Sequence, residues 1–445
     1  MPFAIACRAA LPLLFVFLLT PWVAQAASET SPPGFAVQHY AVQLEPEFST
    51  QTILGQAVVR VLVLNPALRQ VELDVGALQI DAIHLGRQAL HFERAGKTLQ
   101  VSLPRARRRG HAMELRIDYH GKPVEGLTFW KDGLQASTAF STSQWMPCID
   151  APDVRATLDL TLVLPADMQS VANGQAHFAR TLRSGKVATT WSMRQPMPSY
   201  LYGFVAGQFT DISGVAAHTQ LRNLAPPEFS GAQVAQIFQE TPDMLAFYEA
   251  RAGVRYPFAR YTQVVLRGPG AQEMAGFSIL GERYGQRALK NGHSIWLGAH
   301  ELAHTWWGNG VTNQNWNHFW LNEGIATFMT AAYLEHRFGT DEYYVQIDAA
   351  REKYEGIQKA GHDKPLVFPD WDHPTADDRS LVYDKGAYVV HLLRQELGED
   401  LFWKGLRIYT QKFWGRSVVS QDFQKAMEQA SGRDLSAFFD KWVYR

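Results

Sequence analysis

The chain has 445 residues, 46% of them hydrophobic and 12% aromatic, with 42 Lys and Arg against 43 Asp and Glu and a net charge of -1. That length accommodates two or three domains, and the composition is that of an ordinary globular protein with no disordered tract. The near-neutral balance argues against nucleic acid or an anionic membrane as the main partner.

The first predicted element is a signal peptide over residues 1–26. Arg8 supplies its positive region, Leu11 to Leu19 its apolar core, Pro21 a break, and Ala24-Gln25-Ala26 a small-residue cleavage site. A periplasmic or secreted protein is expected, with no stable membrane insertion after cleavage, because the apolar run is too short to span a bilayer. Cleavage removes Cys7 and leaves Cys148 alone. No internal disulfide can then form, and a buried thiol is expected.

Residues 27–35, with Pro32-Pro33, read as a loose entry segment. From there to 210 the period is two. Tyr40 to Leu44, Ala57 to Leu64, Val71 to Val75 and Met113 to Tyr119 alternate as strands, which predicts an antiparallel β domain over 27–210. The basic run Arg105 to Arg109 is expected at a solvated hairpin tip.

Over 211–445 the pattern is mainly helical. Helices are predicted over Val234 to Ala252, ending near Gly253, over Ile325 to Phe338, ending at Gly339, and over Ala387 to Leu397, ending at Gly398. The set Phe423, Ala426, Met427 and Ala430 marks a late helix, and Leu435, Phe438, Phe439 and Trp442 the last. Between the first two, Thr262 to Leu266 reads as a strand, and Ser294 to Gly308 as a helix capped by Ser294.

That last helix carries His300-Glu301-Leu302-Ala303-His304, an H-E-x-x-H motif. Histidines four apart share a helix face, so both imidazoles reach one metal ion. Glu323 follows in Asn322-Glu323-Gly324, in the first turn of the next helix. Two imidazoles and one carboxylate hold zinc with a coordination position left open, the arrangement of a catalytic site. Glu301 lies one position round the helix, placed to take a proton from water. A three-histidine zinc site is excluded, because it needs Gly at 307 and His at 310, where Trp307 and Gly310 stand. The other histidines, including His218, His293, His362, His373 and His391, lack ligand-type spacing.

In the run His300 to Asn309 and in Trp320-Leu-Asn-Glu-Gly the chain resembles the gluzincin aminopeptidases of the aminopeptidase N and leukotriene-A hydrolase type. His318-Phe319-Trp320 resembles the leukotriene-A hydrolase form. Gly270-Ala271-Gln272-Glu273-Met274 resembles that family's G-x-M-E-N motif, with Gln272 for Met and Met274 for Asn. Leu381 to Ala387 resembles its catalytic-tyrosine segment, and Pro147 to Asp153 with Ala156 to Leu160 a further family stretch.

The resemblance implies an α+β multidomain fold. An N-terminal antiparallel β domain with a saddle-like sheet would precede a thermolysin-like, mainly α-helical catalytic domain. It implies one Zn2+ per chain on His300, His304 and Glu323, with Glu301 as base and Tyr383 as hydrogen-bond donor to the oxyanion. Glu273 would bind the α-amine of a peptide with a free N-terminus, Gly270 and Ala271 would pair with its backbone, and Gln144 is the candidate for a second contact to the amine. The expected activity is that of an aminopeptidase. A zinc hydrolase of other selectivity, endopeptidase or epoxide hydrolase, is the alternative that Met274 and the segment around Gln144 keep open. A non-catalytic peptide-binding relative is disfavoured, since every catalytic residue type is present. The large helical domain of many relatives has no counterpart here, from which a more open cleft is expected.

Overall fold

The computed structural model describes residues 34–136, 138–268, 270–371 and 374–445. The signal-peptide reading, the segment up to Pro33 and His373 lie outside the described residues.

The period-two segments form strands that bury alternate side chains. In Phe35–Glu47 the residues Phe35, Val37, Tyr40, Val42 and Leu44 face inward, and a register shift between Val37 and His39 explains the single break in alternation. The largest sheet has eight strands. At its centre Phe35–Glu47 runs antiparallel to Thr52–Val63 and parallel to Arg155–Leu164. The domain is thus largely antiparallel, with this one parallel pairing in the eight-stranded sheet. A four-stranded sheet and a three-stranded sheet complete it. Their inward faces share one core, from Phe35 to Ala206, which also takes in Ala275.

Arg105 to Arg109 does not tip a hairpin. It links Thr98–Ser102 of the three-stranded sheet to Ala112–Gly121 of the eight-stranded one. Cys148 is buried and free, and burial pushes its thiol well above the usual range.

The second half departs from the helical expectation at its start. Thr210–Ala216 and Thr219–Ala225 form a hairpin. They open a five-stranded sheet that continues through Arg260–Leu266 and Phe277–Gly281 to Ala271–Met274 at its edge. The predicted helix from Val234 to Ala252 is two helices, Gly231–Ile237 and Thr241–Ala252. Pro242, which has no N–H to donate, sits in the first turn of the second. Gly253 ends it at φ 67°.

The helices Trp296–Ala303, Trp320–Phe338, Gly386–Leu397, Glu399–Phe413 and Ser420–Ser431 pack a second core, drawn from residues 216–443. No helix among the described residues is long and apolar enough to cross a membrane. Trp320–Phe338 and Gly386–Leu397 touch backbone to backbone. A Cβ on Gly324 would lie 2.8 Å from the Gly386 Cα, and one on Gly386 2.9 Å from the Gly324 Cα. These two glycines set the gap between the helix that carries Glu323 and the turn that carries Tyr383.

Candidate metal centre

The helix Trp296–Ala303 starts later and stops earlier than its sequence suggests. Its cap position is Ile295, not Ser294, and makes no side-chain cap bond. After His304 the backbone bonds tighten, with the Thr305 N–H donating to the Leu302 carbonyl and Trp306 N–H to Ala303. Gly308, at φ 139°, turns the chain, and a Cβ there would lie 2.9 Å from His304 Nδ1. Glycine at 308 therefore leaves room for the imidazole.

His304 Nδ1 lies 3.1 Å from the Trp307 carbonyl oxygen. A carbonyl only accepts, so Nδ1 carries a proton, and Nε2 is the nitrogen left to face a metal. His300 Nε2 sits 3.0 Å from His304 Nε2. The His300 ring stacks on Trp296, one turn earlier, at 4.9 Å and 11°.

Glu323 is the fourth residue of Trp320–Phe338, in the first turn as expected. Its Oε2 lies 3.3 Å from both Nε2 atoms. The three donors form a triangle with edges of 3.0 to 3.3 Å. Ligands about 2.0 to 2.1 Å from a tetrahedral zinc are separated by roughly 3.3 Å, so the triangle has the size of a zinc-site face. Glu323 Oε2 has no hydrogen-bond donor although it is buried, which suits an atom reserved for a cation. His300, His304 and Glu323 fit zinc.

The electrostatics agree. Burial opposes ionisation of Glu323, but His304 and the two imidazole contacts outweigh it and hold the carboxyl at about 2. Burial would lower His304, yet the carboxylates of Glu273, Glu323 and Glu301 together raise it to about 10. Three buried carboxylates around two imidazoles make a site that favours positive charge.

Glu301, Glu273 and His304 each offer an atom within 4.8 Å of the others. Burial raises Glu301 well above the carboxylate range, with His304 opposing and Glu273 and Glu323 adding to the rise. Glu273 is raised to about 7, by burial first and by Glu323 against the pull of His304.

Strand parity explains how Glu273 arrives there. In Ala271–Met274 alternate side chains point to opposite faces. Gln272 accepts from the Thr138 N–H at 2.8 Å and donates to the Tyr200 carbonyl at 3.2 Å, both in the β domain. Met274 lies against Gly203, also in the β domain. The two departures from the family motif therefore face the β domain, and Glu273, between them, faces the metal ligands. Gly270, at φ 106°, and Ala271 lead into this strand.

Tyr383 lies in a wide π-type turn, Leu381–Lys385, before the helix Gly386–Leu397. Its ring centroid is 5.8 Å from that of His300. Burial pushes its hydroxyl well above the tyrosine range, and Glu323, Glu273 and Glu301 add to this. The phenol stays protonated, as a hydrogen-bond donor must. Lys385, with 1% of its side chain exposed, anchors the turn to Asp363 at 2.8 Å and to the Lys364 carbonyl at 2.6 Å.

Gln144 is not brought to this cluster. It is buried in the turn Thr142–Gln144, where it accepts from the Ala77 N–H at 3.2 Å and donates to Glu125 at 3.2 Å. Its amide is used on both sides inside the β domain.

Sequence reasoning missed Trp296 and Tyr200. Trp296 was legible, since it stands four residues before His300. Tyr200 comes from the β domain, donates to the Gly308 carbonyl at 2.9 Å and accepts from Asn322 at 3.2 Å. No local signal marks it.

Comparison with known proteins agrees with this geometry. Residues 36–201 match the peptidase M1 N-terminal domain and residues 237–442 the peptidase family M1 domain. Aminopeptidase N of Lactococcus lactis subsp. lactis is 26% identical over 92% of this chain and 51% of its own length. Leucine aminopeptidase 2 of Aspergillus oryzae is 26% identical over 91% of this chain and 70% of its own. The chain thus spans about half the length of the first of these curated relatives. The fold is shared with an M1 zinc metallopeptidase from Deinococcus radiodurans, at a TM-score of 0.80 and 23% identity, covering 93% of this chain and 95% of that one. A variant of the Deinococcus protein has been solved with a Tyr-Ser-Ala substrate, at a TM-score of 0.78, 23% identity and the same 93% and 95% coverage. Two domain models of one family, matched in order on either side of residues 202–236, leave a single assignment: this chain belongs to the peptidase M1 family.

Proposed function

We propose that the protein is a zinc-dependent aminopeptidase that releases N-terminal residues from peptides. One observation carries the reading: a third buried carboxylate, Glu273, converges on Glu301 and His304 within 4.8 Å yet lies outside the set that fits zinc. A buried carboxylate rewards an ammonium guest and rejects a neutral, blocked terminus.

His300, His304 and Glu323 would hold zinc, which when bound acidifies water and polarises a carbonyl. The chain's own groups do the rest. Glu301 accepts the proton of the attacking water and returns it to the leaving amine. Tyr383 donates a hydrogen bond where the oxyanion develops. Glu273 pairs with the substrate's α-ammonium, and the free edge of Ala271–Met274 offers backbone groups to the peptide. Residues 1–26 support an exported, periplasmic or secreted protein; N-terminal sequencing of the exported form should then begin at Ala27.

The test is a panel of aminoacyl fluorogenic amides, free and N-acetylated, with and without a chelator. Free-amine substrates should be cleaved, acetylation should abolish cleavage, and the chelator should stop it until zinc is restored. Equal cleavage of acetylated substrates would point to an endopeptidase instead.

A further inference from the structure

Next to Gly270 lies a cleft of about 580 Å³, walled by Gly268, Gly270, Trp296, Arg283 and Arg287 among others. Two of its lining residues adjoin the metal site. Gly270 adjoins the edge strand that bears Glu273, and Trp296 stacks on His300. The other end of that strand is closed. The residue after Met274, Ala275, is fully buried in the β-domain core, and its N–H donates to the Leu201 carbonyl at 3.1 Å. A peptide that pairs with this strand and has its amine at Glu273 therefore runs toward Gly270. At about 3.3 Å per extended residue, the three positions from Glu273 to Gly270 span about 10 Å, so about the third substrate residue reaches the cleft.

Arg283 and Arg287 stand four apart on the helix Glu282–Lys290 and share a face. Both line the cleft, both are exposed, and neither is paired with an acid among the described residues. By contrast Arg267, close by in sequence, is paired with Glu228 and Asp132. Glu342, the one acid among the described residues of the cleft wall, accepts from Gln346 at 2.9 Å and forms no ion pair with either arginine.

We infer that Arg283 and Arg287 form a carboxylate subsite that selects peptides presenting a negative charge at about the third residue. The charge is either the C-terminal carboxylate of a short peptide or an acidic side chain. Guanidinium groups bind carboxylates through paired, planar N–H donors, which gives orientation as well as attraction. The inference deepens the aminopeptidase reading and rests on it for the direction of the substrate.

The test is equilibrium binding by calorimetry to the zinc-loaded Glu301→Gln protein, which keeps the cleft without turnover. The probes are Leu-Gly-Gly as free acid and as amide, and Leu-Gly-Glu-Gly-Gly-amide against its Gln counterpart. A preference of about tenfold is expected for the acid or for the Glu peptide, on the scale of one or two partly exposed charge pairs. Which pair shows it identifies the source of the carboxylate. Adding Arg283→Gln and Arg287→Gln should abolish the preference. Equal binding within both pairs in the arginine-bearing protein overturns the inference whether or not the double variant folds, and so does a preference that survives both substitutions. The aminopeptidase reading is scored separately, by the loss of cleavage on N-acetylation.

Discussion

Glu301 has few alternatives to the role of base. It sits beside His300 in sequence, is buried, and lies with Glu273 and His304 in a cluster within 4.8 Å. It belongs to no donor set with both histidines, so replacing it spares the metal. Glu301→Gln should retain zinc at one per chain by elemental analysis while kcat falls about 10³-fold, the range of general-base catalysis. Substantial residual turnover would remove Glu301 from the mechanism. Tyr383→Phe keeps the ring near His300 and deletes only the donor. It should lower kcat about 10²-fold with little change in KM, as expected for a bond made mainly in the transition state. A matching rise in KM would instead assign Tyr383 to ground-state binding. The histidine pair is legible in the sequence because four residues on a helix is a local distance. The facing of Glu273 is not, because it depends on which side of an edge strand meets the β domain.

Elements place these residues through close backbone approach. The Gly324–Gly386 contact lets the helix of Glu323 and the turn of Tyr383 share one metal face, and a methyl group does not fit there. Gly386→Ala should cost about 1–3 kcal/mol by denaturation, as overpacking does. It should also depress kcat, because it moves Tyr383 relative to Glu323. Gly356, in the helix Thr340–Lys359, has open space around its Cβ position. Gly356→Ala should raise stability by up to about 1 kcal/mol from helix propensity alone. Similar effects from both substitutions would discard the close-packing argument. The misread elements have physical causes too. Thr210–Ala216 buries only its last residue, so its alternation is nearly silent. The split between Ile237 and Thr241 follows from Pro242, whose helix-starting role is easily lost inside a long apolar pattern.

At the scale of the molecule the β domain supports the loop that follows the metal motif. Arg155, on a central strand of the eight-stranded sheet, donates to Thr312 Oγ1 at 2.6 Å and to the carbonyl oxygens of Asn309 at 3.2 Å and Gly310 at 3.4 Å. Tyr200 adds its bond to the Gly308 carbonyl, and Phe140 packs on Trp316 at 4.1 Å. Arg155→Ala would leave these acceptors without their part-buried charged donor. It should lower the unfolding free energy by roughly 2 kcal/mol, the scale of hydrogen bonds to a charged group. Zinc affinity should weaken with it, because His304 is oriented by the same loop. Unchanged stability and metal affinity would mean that the β domain does not brace the site.

The sequence by itself determined the local chemistry. Periodicity marked several β strands, such as Thr52–Val63 and Ala112–Gly121, and the helix Trp320–Phe338, but not the helices Thr340–Lys359 and Glu399–Phe413; spacing marked the two imidazoles and their glutamate. It determined these because each depends on residues within a few turns of one another. Tertiary structure decided which side chains from distant segments meet. It turned Glu273 toward the metal ligands, kept Gln144 inside the β domain, and brought Tyr200 and Arg155 behind the motif loop. Those outcomes depend on how two hydrophobic cores pack, and no stretch of sequence short enough to read as a pattern contains that information.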